Sequence, residues 1–140
     1  MERWIIFAVI SMVFAGLTAV IAKHGLTGIS SELGLAVRTC FVSVFVLGFA
    51  AVVVPREQVG VLTRHNLFWL GLSGVTTAVS WVFYYKALKD GEVSTVALID
   101  KGSFVVAVLL AWLVLGERIT LRVALGSLLI LAGLAVVSRK

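Results

Sequence analysis

Residues Val93–Leu115 read VSTVALIDKGSFVVAVLLAWLVL, a run in which only Asp100 and Lys101 carry charge. About 20 apolar residues in helical form cross the hydrocarbon core of a bilayer, so this stretch is long enough to span one. Working outward, the same reading applies to Trp4–Lys23, Leu33–Val54, Leu67–Ala87 and Leu121–Val137. Each is predicted to be a helix, because lipid offers no partner to open backbone groups and barrel strands are shorter and alternate in polarity. The expected fold class is an all-α membrane protein, a five-transmembrane-helix bundle.

Composition supports this. The 140 residues are 61% hydrophobic and 14% charged, against about 45–50% and 25% in soluble domains. Mean hydropathy is +1.12. The net charge of +5 raises nucleic acid as a partner, but the cations sit singly at helix ends, where lipid headgroups are their natural neighbours. No nucleic-acid partner is expected. The first apolar stretch is longer than a signal-peptide core and lacks a small-x-small cleavage site, so a retained anchor is expected. Cys40, the single cysteine, lies in an apolar stretch and reads as a small hydrophobe.

The breaks between spans carry recognisable chemistry. Gly25 and Gly28 with Ser30, Ser31 and Glu32 form a turn and an N-cap. Pro55 closes the second span, Asp90-Gly91 makes a tight turn, and Thr120 caps the last helix. None resembles an interdomain linker, so residues 1–140 are expected to form one domain.

With five spans the termini face opposite sides. Arg3, Arg56, Arg64, Arg118 and Arg122 fall on one face, Lys23, Lys86, Lys89, Arg139 and Lys140 on the other. Orientation normally follows an excess of Lys and Arg in short loops. Here there is none. Either other features fix the orientation, or the chain inserts both ways and pairs with its own inverted copy; the second is preferred.

Small residues allow close helix approach. Ala8, Ser11, Ala15, Ala19 and Ala22 form such a stripe in the first span, as do Gly126 and Gly133 in the last. In the third span Ser73, Thr76, Thr77, Ser80 and Tyr84 recur at three- and four-residue steps, with Trp81 and Tyr85 beside them. Such hydroxyls either bond back to their own helix or line a polar cavity.

Arg38, Asp100 and Lys101 lie roughly 10 Å inside the same membrane face, at about 1.5 Å per residue. A charge inside a span costs at least about 2.5–3.5 kcal/mol on insertion scales. Asp100 and Lys101 are sequence neighbours and are not expected to face each other on a helix, so Arg38 is the expected counter-charge of Asp100. That pair either registers two helices or belongs to a substrate or proton site. His24 and His65 are solitary, so no metal is expected. No nucleophile elbow or phosphate loop is present, and neither enzymatic activity nor a cofactor is expected.

Three stretches carry a family resemblance: Gly34-Leu-Ala-Val-Arg38-Thr39, Tyr84-Tyr-Lys-Ala-Leu-Lys-Asp-Gly91-Glu-Val-Ser-Thr-Val96, and Leu115-Gly-Glu-Arg118 before a glycine-containing last helix. In order and spacing the chain resembles the EamA-like branch of the drug/metabolite transporter superfamily. Most members of that branch carry two inverted five-helix repeats. This chain matches one, and Ile99-Asp-Lys-x-Ser103 is similar to the small single-repeat members. The resemblance implies one half of an inverted-repeat transporter, completed by an antiparallel homodimer or a related short chain, with a site between repeats near the midplane. The expected function is transport of a small organic metabolite or drug across the inner membrane. Asp100 would couple transport, with Arg38 and Lys101 as counter-charges able to bind an anion. Ser73, Thr77, Ser80, Trp81 and Tyr84 would line the cavity, and Phe104 and Ala107 would follow Asp100 on its face. A dual-topology ion channel and a non-transporting membrane subunit are the alternatives.

Overall fold

A computed structural model describes residues 2–137 and is helical throughout its ordered elements. Arg139 and Lys140, two of the cations weighed above, lie outside the described residues. In chain order the helices are α1 (Arg3–Gly25), α2 (Ser31–Val53), α3 (Arg56–Val59), α4 (Arg64–Asp90), α5 (Val93–Asp100), α6 (Ser103–Leu115) and α7 (Leu121–Val137). Four stretches have the length and apolarity to cross a membrane: α1, α2, α4 and Val93–Leu115. α7 is apolar and shorter, with 17 residues among the described ones.

The boundaries follow local chemistry. Ser30 caps α2, its hydroxyl accepting from the Leu33 amide at 3.2 Å, which satisfies one of the orphan donors of a first turn. Pro55, with no amide hydrogen to donate, ends α2 and opens α3, a single helical turn within the expected loop. α4 begins at Arg64, before the apolar run, because the Thr63 hydroxyl accepts from the Asn66 amide at 3.2 Å. Thr120 does the same for Val123 at 3.3 Å. α6 ends at Gly116, whose φ of 68° is the left-handed conformation that a side chain disfavours. Its turn closes with the Glu117 amide on the Ala111 carbonyl at 3.2 Å.

The sequence reads Val93–Leu115 as one uninterrupted helix, and the structure corrects this. At Lys101-Gly102 the winding tightens to three-residue bonds. The Lys101 amide reaches the Leu98 carbonyl at 3.1 Å, Gly102 reaches Ile99 at 2.9 Å, and Val105 reaches Gly102 at 3.0 Å. Mid-helix turns of this kind mark hinges or local strain. A side chain at position 102 would meet the Ile99 carbonyl at 3.0 Å and Leu134 of α7 at 3.2 Å, so the turn or α7 would have to give by a few tenths of an ångström to admit one.

The chain divides into two compact units, one joining the residues up to Ile21 with those from Gly91 onward, the other running Ala22–Asp90. In the first, α5 packs on α7. In the second, α2 and α4 run antiparallel and supply most of the packing. Its buried side chains are Leu26, Tyr85 and Leu88, and Leu26 rests on Gly34, where any Cβ would collide with it.

Two lysines tie this second unit at one end. Lys23 donates to the carbonyls of Leu88 at 2.6 Å and Lys89 at 2.9 Å. Lys89 donates in return to Leu26 at 2.9 Å and Ile29 at 2.7 Å. Lys23 thus serves carbonyls of the last turn of α4, which lack amide partners within the helix, and Lys89 serves carbonyls of the turn between α1 and α2. Lys89→Met should remove two of these bonds and destabilise the chain by about 3 kcal/mol, at about 1.5 kcal/mol for each bond to a charged group, the low end of the usual range because Lys89 is exposed. Thermal unfolding in detergent checks this. Lys23→Met should act alike, and the double variant should cost less than the sum, because the two share one junction.

Most large apolar side chains of α1, α2, α4, α6 and α7 remain exposed, Phe45 at 73% and Leu115 at 70% among them. A soluble monomer does not carry apolar surface on this scale. Lipid and protein partners are its natural cover.

Candidate functional site

The second unit holds a groove of about 650 Å³ between α2 and α4. From α2 come Leu35, Thr39, Val42, Ser43, Val46 and Leu47; from α4 come Leu70, Ser73, Gly74, Thr77, Ala78, Trp81 and Val82. The spacing explains the face. Steps of three and four residues place Ser73, Thr77 and Trp81 in line on α4, opposite Thr39 and Ser43 on α2.

The groove is apolar with hydroxyls set into it. Thr39 donates to the Leu35 carbonyl at 2.8 Å, and Thr77 to the Ser73 carbonyl at 2.8 Å. These bonds satisfy the hydroxyl protons within each helix and leave the oxygens as acceptors. Thr76 also bonds to the Ser73 carbonyl, at 2.9 Å. Thr76, Ser80 and Tyr84 are not among the residues lining the groove; Tyr84 meets Tyr85 edge-on at 6.3 Å.

Arg38 is not among the lining residues but meets one of them, Trp81. Its guanidinium carbon lies 4.3 Å from the centre of the Trp81 ring and 5.9 Å from that of Tyr85. Trp81 and Tyr85 are one helical turn apart, so both rings serve the same cation. One of its nitrogens, Nη1, is buried and has no hydrogen-bond partner. The carboxylates of this unit are Glu32, Glu57 and Asp90, and none of them pairs with Arg38. Glu32 is engaged by Lys86 at 3.6 Å and by the Ser31 hydroxyl at 3.0 Å.

In the other unit, Asp100 ends α5 and its carboxylate lies 3.9 Å from the Lys101 ammonium. The expectation that these neighbours point apart fails because the tight turn ends the regular helix between them. The pair is loose and both groups are partly exposed, which makes it a weak tie. Phe104 opens α6, its amide bonded to the Lys101 carbonyl at 3.3 Å.

Sequence reasoning thus named Arg38, Ser73, Thr77 and Trp81, which the fold brings together. It missed Thr39 and Ser43, although their four-residue spacing beside Arg38 is the same signal that singled out α4.

The profile of the EamA-like transporter family matches residues 2–139. The chain is also 34% identical, over 132 residues and 94% of each chain, to a Sinorhizobium protein named "Uncharacterized transporter in cobO 3'region". No solved structure matches. Long apolar helices and a match spanning nearly the whole sequence agree: this chain is a multi-pass membrane protein that belongs to the EamA-like transporter family.

Proposed function

We propose that the chain is a secondary transporter that carries a small organic metabolite or drug across the inner membrane by alternating access. Two oppositely inserted copies form an antiparallel homodimer, each supplying one repeat, and the groove between α2 and α4 is the half-site each contributes. The observation that carries this reading is the groove itself, apolar along its walls, with a guanidinium held against Trp81, one of its lining residues. Ligand sites typically combine such apolar walls with a few fixed polar groups, in volumes of about 300–1,000 Å³. Asp100 is the coupling carboxylate, with Lys101 as its counter-charge and Phe104 beside it. Ser80 and Tyr84 do not line this groove and stay outside the half-site. The absence of a cation excess on either face supports two-way insertion, and inverted repeats that rock about a midplane site supply the mechanism.

Labelling from outside intact cells tests the arrangement. In a Cys40→Ala background, single cysteines at Gln58 and at Glu92 fall on opposite faces. Both are expected to react partially with an impermeant thiol reagent. Complete labelling of one and none of the other would remove the self-paired dimer.

A further inference from the structure

Three features of the α2–α4 groove bear on what it accepts. First, no charged side chain lines the groove, and Arg38 adjoins it through its guanidinium, which stacks on the lining residue Trp81. Second, a buried guanidinium nitrogen, Nη1, has no hydrogen-bond partner. A buried donor left open costs a few kcal/mol for a charged group, and in a native protein it calls for an explanation such as an absent ligand. Third, the guanidinium is held by the Trp81 and Tyr85 rings and not by a carboxylate, so its charge remains available to an incoming anion. Aromatic stacking fixes the plane of the fork without using its in-plane donors. From Arg38 the groove continues past Val42 and Ser43 to Val46 and Leu47, about 13 Å of helix, with hydroxyls placed sparsely along it.

We propose that this groove selects a small organic anion with an apolar body: an acid group bound by Arg38, and a hydrophobic part laid toward Val46 and Leu70. The proposal rests on the transporter reading above and adds the substrate class to it. Charge complementarity sets the sign, since a cation would meet an unneutralised guanidinium. A neutral solute could accept from the fork but would leave the guanidinium charge uncompensated. The volume, about 650 Å³, sets the scale as that of a metabolite and not of a whole lipid. The Ser43 and Ser73 hydroxyls, which can donate or accept, add polar contacts along the body and permit substituents there.

Trp81 supplies the readout, because a ligand that takes the guanidinium changes the field on the indole. With Trp4, Trp69 and Trp112 replaced by Phe, Trp81 is the single tryptophan of the chain. The protein is placed in phosphatidylcholine nanodiscs and titrated with 3-phenylpropanoate, its neutral amide and 3-phenylpropylammonium, three probes with one body and three charges. The carboxylate should change Trp81 emission saturably, with an affinity at least about tenfold above the other two, as charge-assisted bonding to a fixed guanidinium requires. Arg38→Gln should erase the preference. Arg38→Lys, which keeps the charge and loses the planar fork, should keep the preference at lower affinity and guards against a folding defect in the first variant. Equal or tighter binding of the ammonium or the amide overturns the anion class while leaving the transporter reading in place. A carboxylate preference that survives Arg38→Gln overturns the role of Arg38. If phosphatidylglycerol in the nanodisc produces the same emission change and excludes the carboxylate, the occupant is a lipid headgroup and the solute proposal falls. If none of the three probes alters Trp81, the groove is not a solute site and the proposal falls with it; two-sided labelling then still decides the dimer separately.

Discussion

Thr77→Trp is expected to reduce solute flux in proteoliposomes by about 100-fold or more, equivalent to about 2.7 kcal/mol at the transition state, while the protein still folds and inserts. Thr77 lies in the middle of the lining of α4, between Ser73 and Trp81. An indole there occupies the path along which the solute body would lie, and a ligand displaced from such walls loses most of its buried surface. Overfilling a packed core costs roughly 1–3 kcal/mol, but here the added bulk enters open space, so the stability penalty should stay small. The matched control is Ser80→Trp. Ser80 is exposed on the same helix, three residues away, and does not line the groove. Flux is measured with whichever of the three phenylpropyl probes the unaltered chain carries, and folding by size-exclusion profile. Equal loss of flux in both variants would mean that the hydroxyl-bearing helix is a packing seam. Loss of assembly in both would point to a subunit that stabilises another protein.

The contrast between those two positions also shows how far the sequence could be read. Helix ends were legible wherever a single side chain decides them: Ser30, Pro55, Gly91 and Thr120 mark boundaries through chemistry confined to one turn. The start of α4 was not, because the apolar run begins at Leu67 whereas the cap that begins the helix is the Thr63–Asn66 contact. Hydropathy reports burial in lipid and is silent on capping. The tight turn at Lys101-Gly102 was hidden for a related reason. Both flanks are apolar and helix-compatible, so hydropathy carries no sign of the change in winding between them.

At the site, periodicity separated polar from apolar residues on α4 but could not say which edge of the stripe faces α2. Ser73 and Thr77 do, and Ser80 does not. The rings that hold Arg38 were legible only as a pattern. Trp81 and Tyr85 are a turn apart, but nothing in their spacing indicates which cation, more than 40 positions earlier, they meet. Charge alone suggested a carboxylate for Arg38. The aromatic alternative has the advantage inside a bilayer that it stabilises the cation without burying a second ion.

Asp100→Asn should abolish uphill accumulation driven by a pH gradient, by at least about tenfold, while downhill exchange of the same solute persists within a few-fold. The change keeps side-chain shape and removes only the capacity to take and release a proton, so it separates coupling from binding. Three observations make this carboxylate the candidate. It sits within a stretch long enough to span the membrane, where an ionisable group is costly and tends to serve function. It stands at the one place in that stretch where regular helical winding gives way, and carbonyls and charges at such interruptions are where transporters handle ions. Its pairing with Lys101 at 3.9 Å is loose and both groups are partly exposed, so the ion pair is a weak structural tie. Lys101→Met gives the complementary test. If the pair is a structural tie, both variants should lower thermal stability together and leave coupling intact in the surviving protein. If Asp100 carries the proton, Lys101→Met should retain accumulation, because the carboxylate itself is untouched. Full pH-driven accumulation by Asp100→Asn would exclude Asp100 as the coupling group and leave the groove at Arg38 to work by exchange alone.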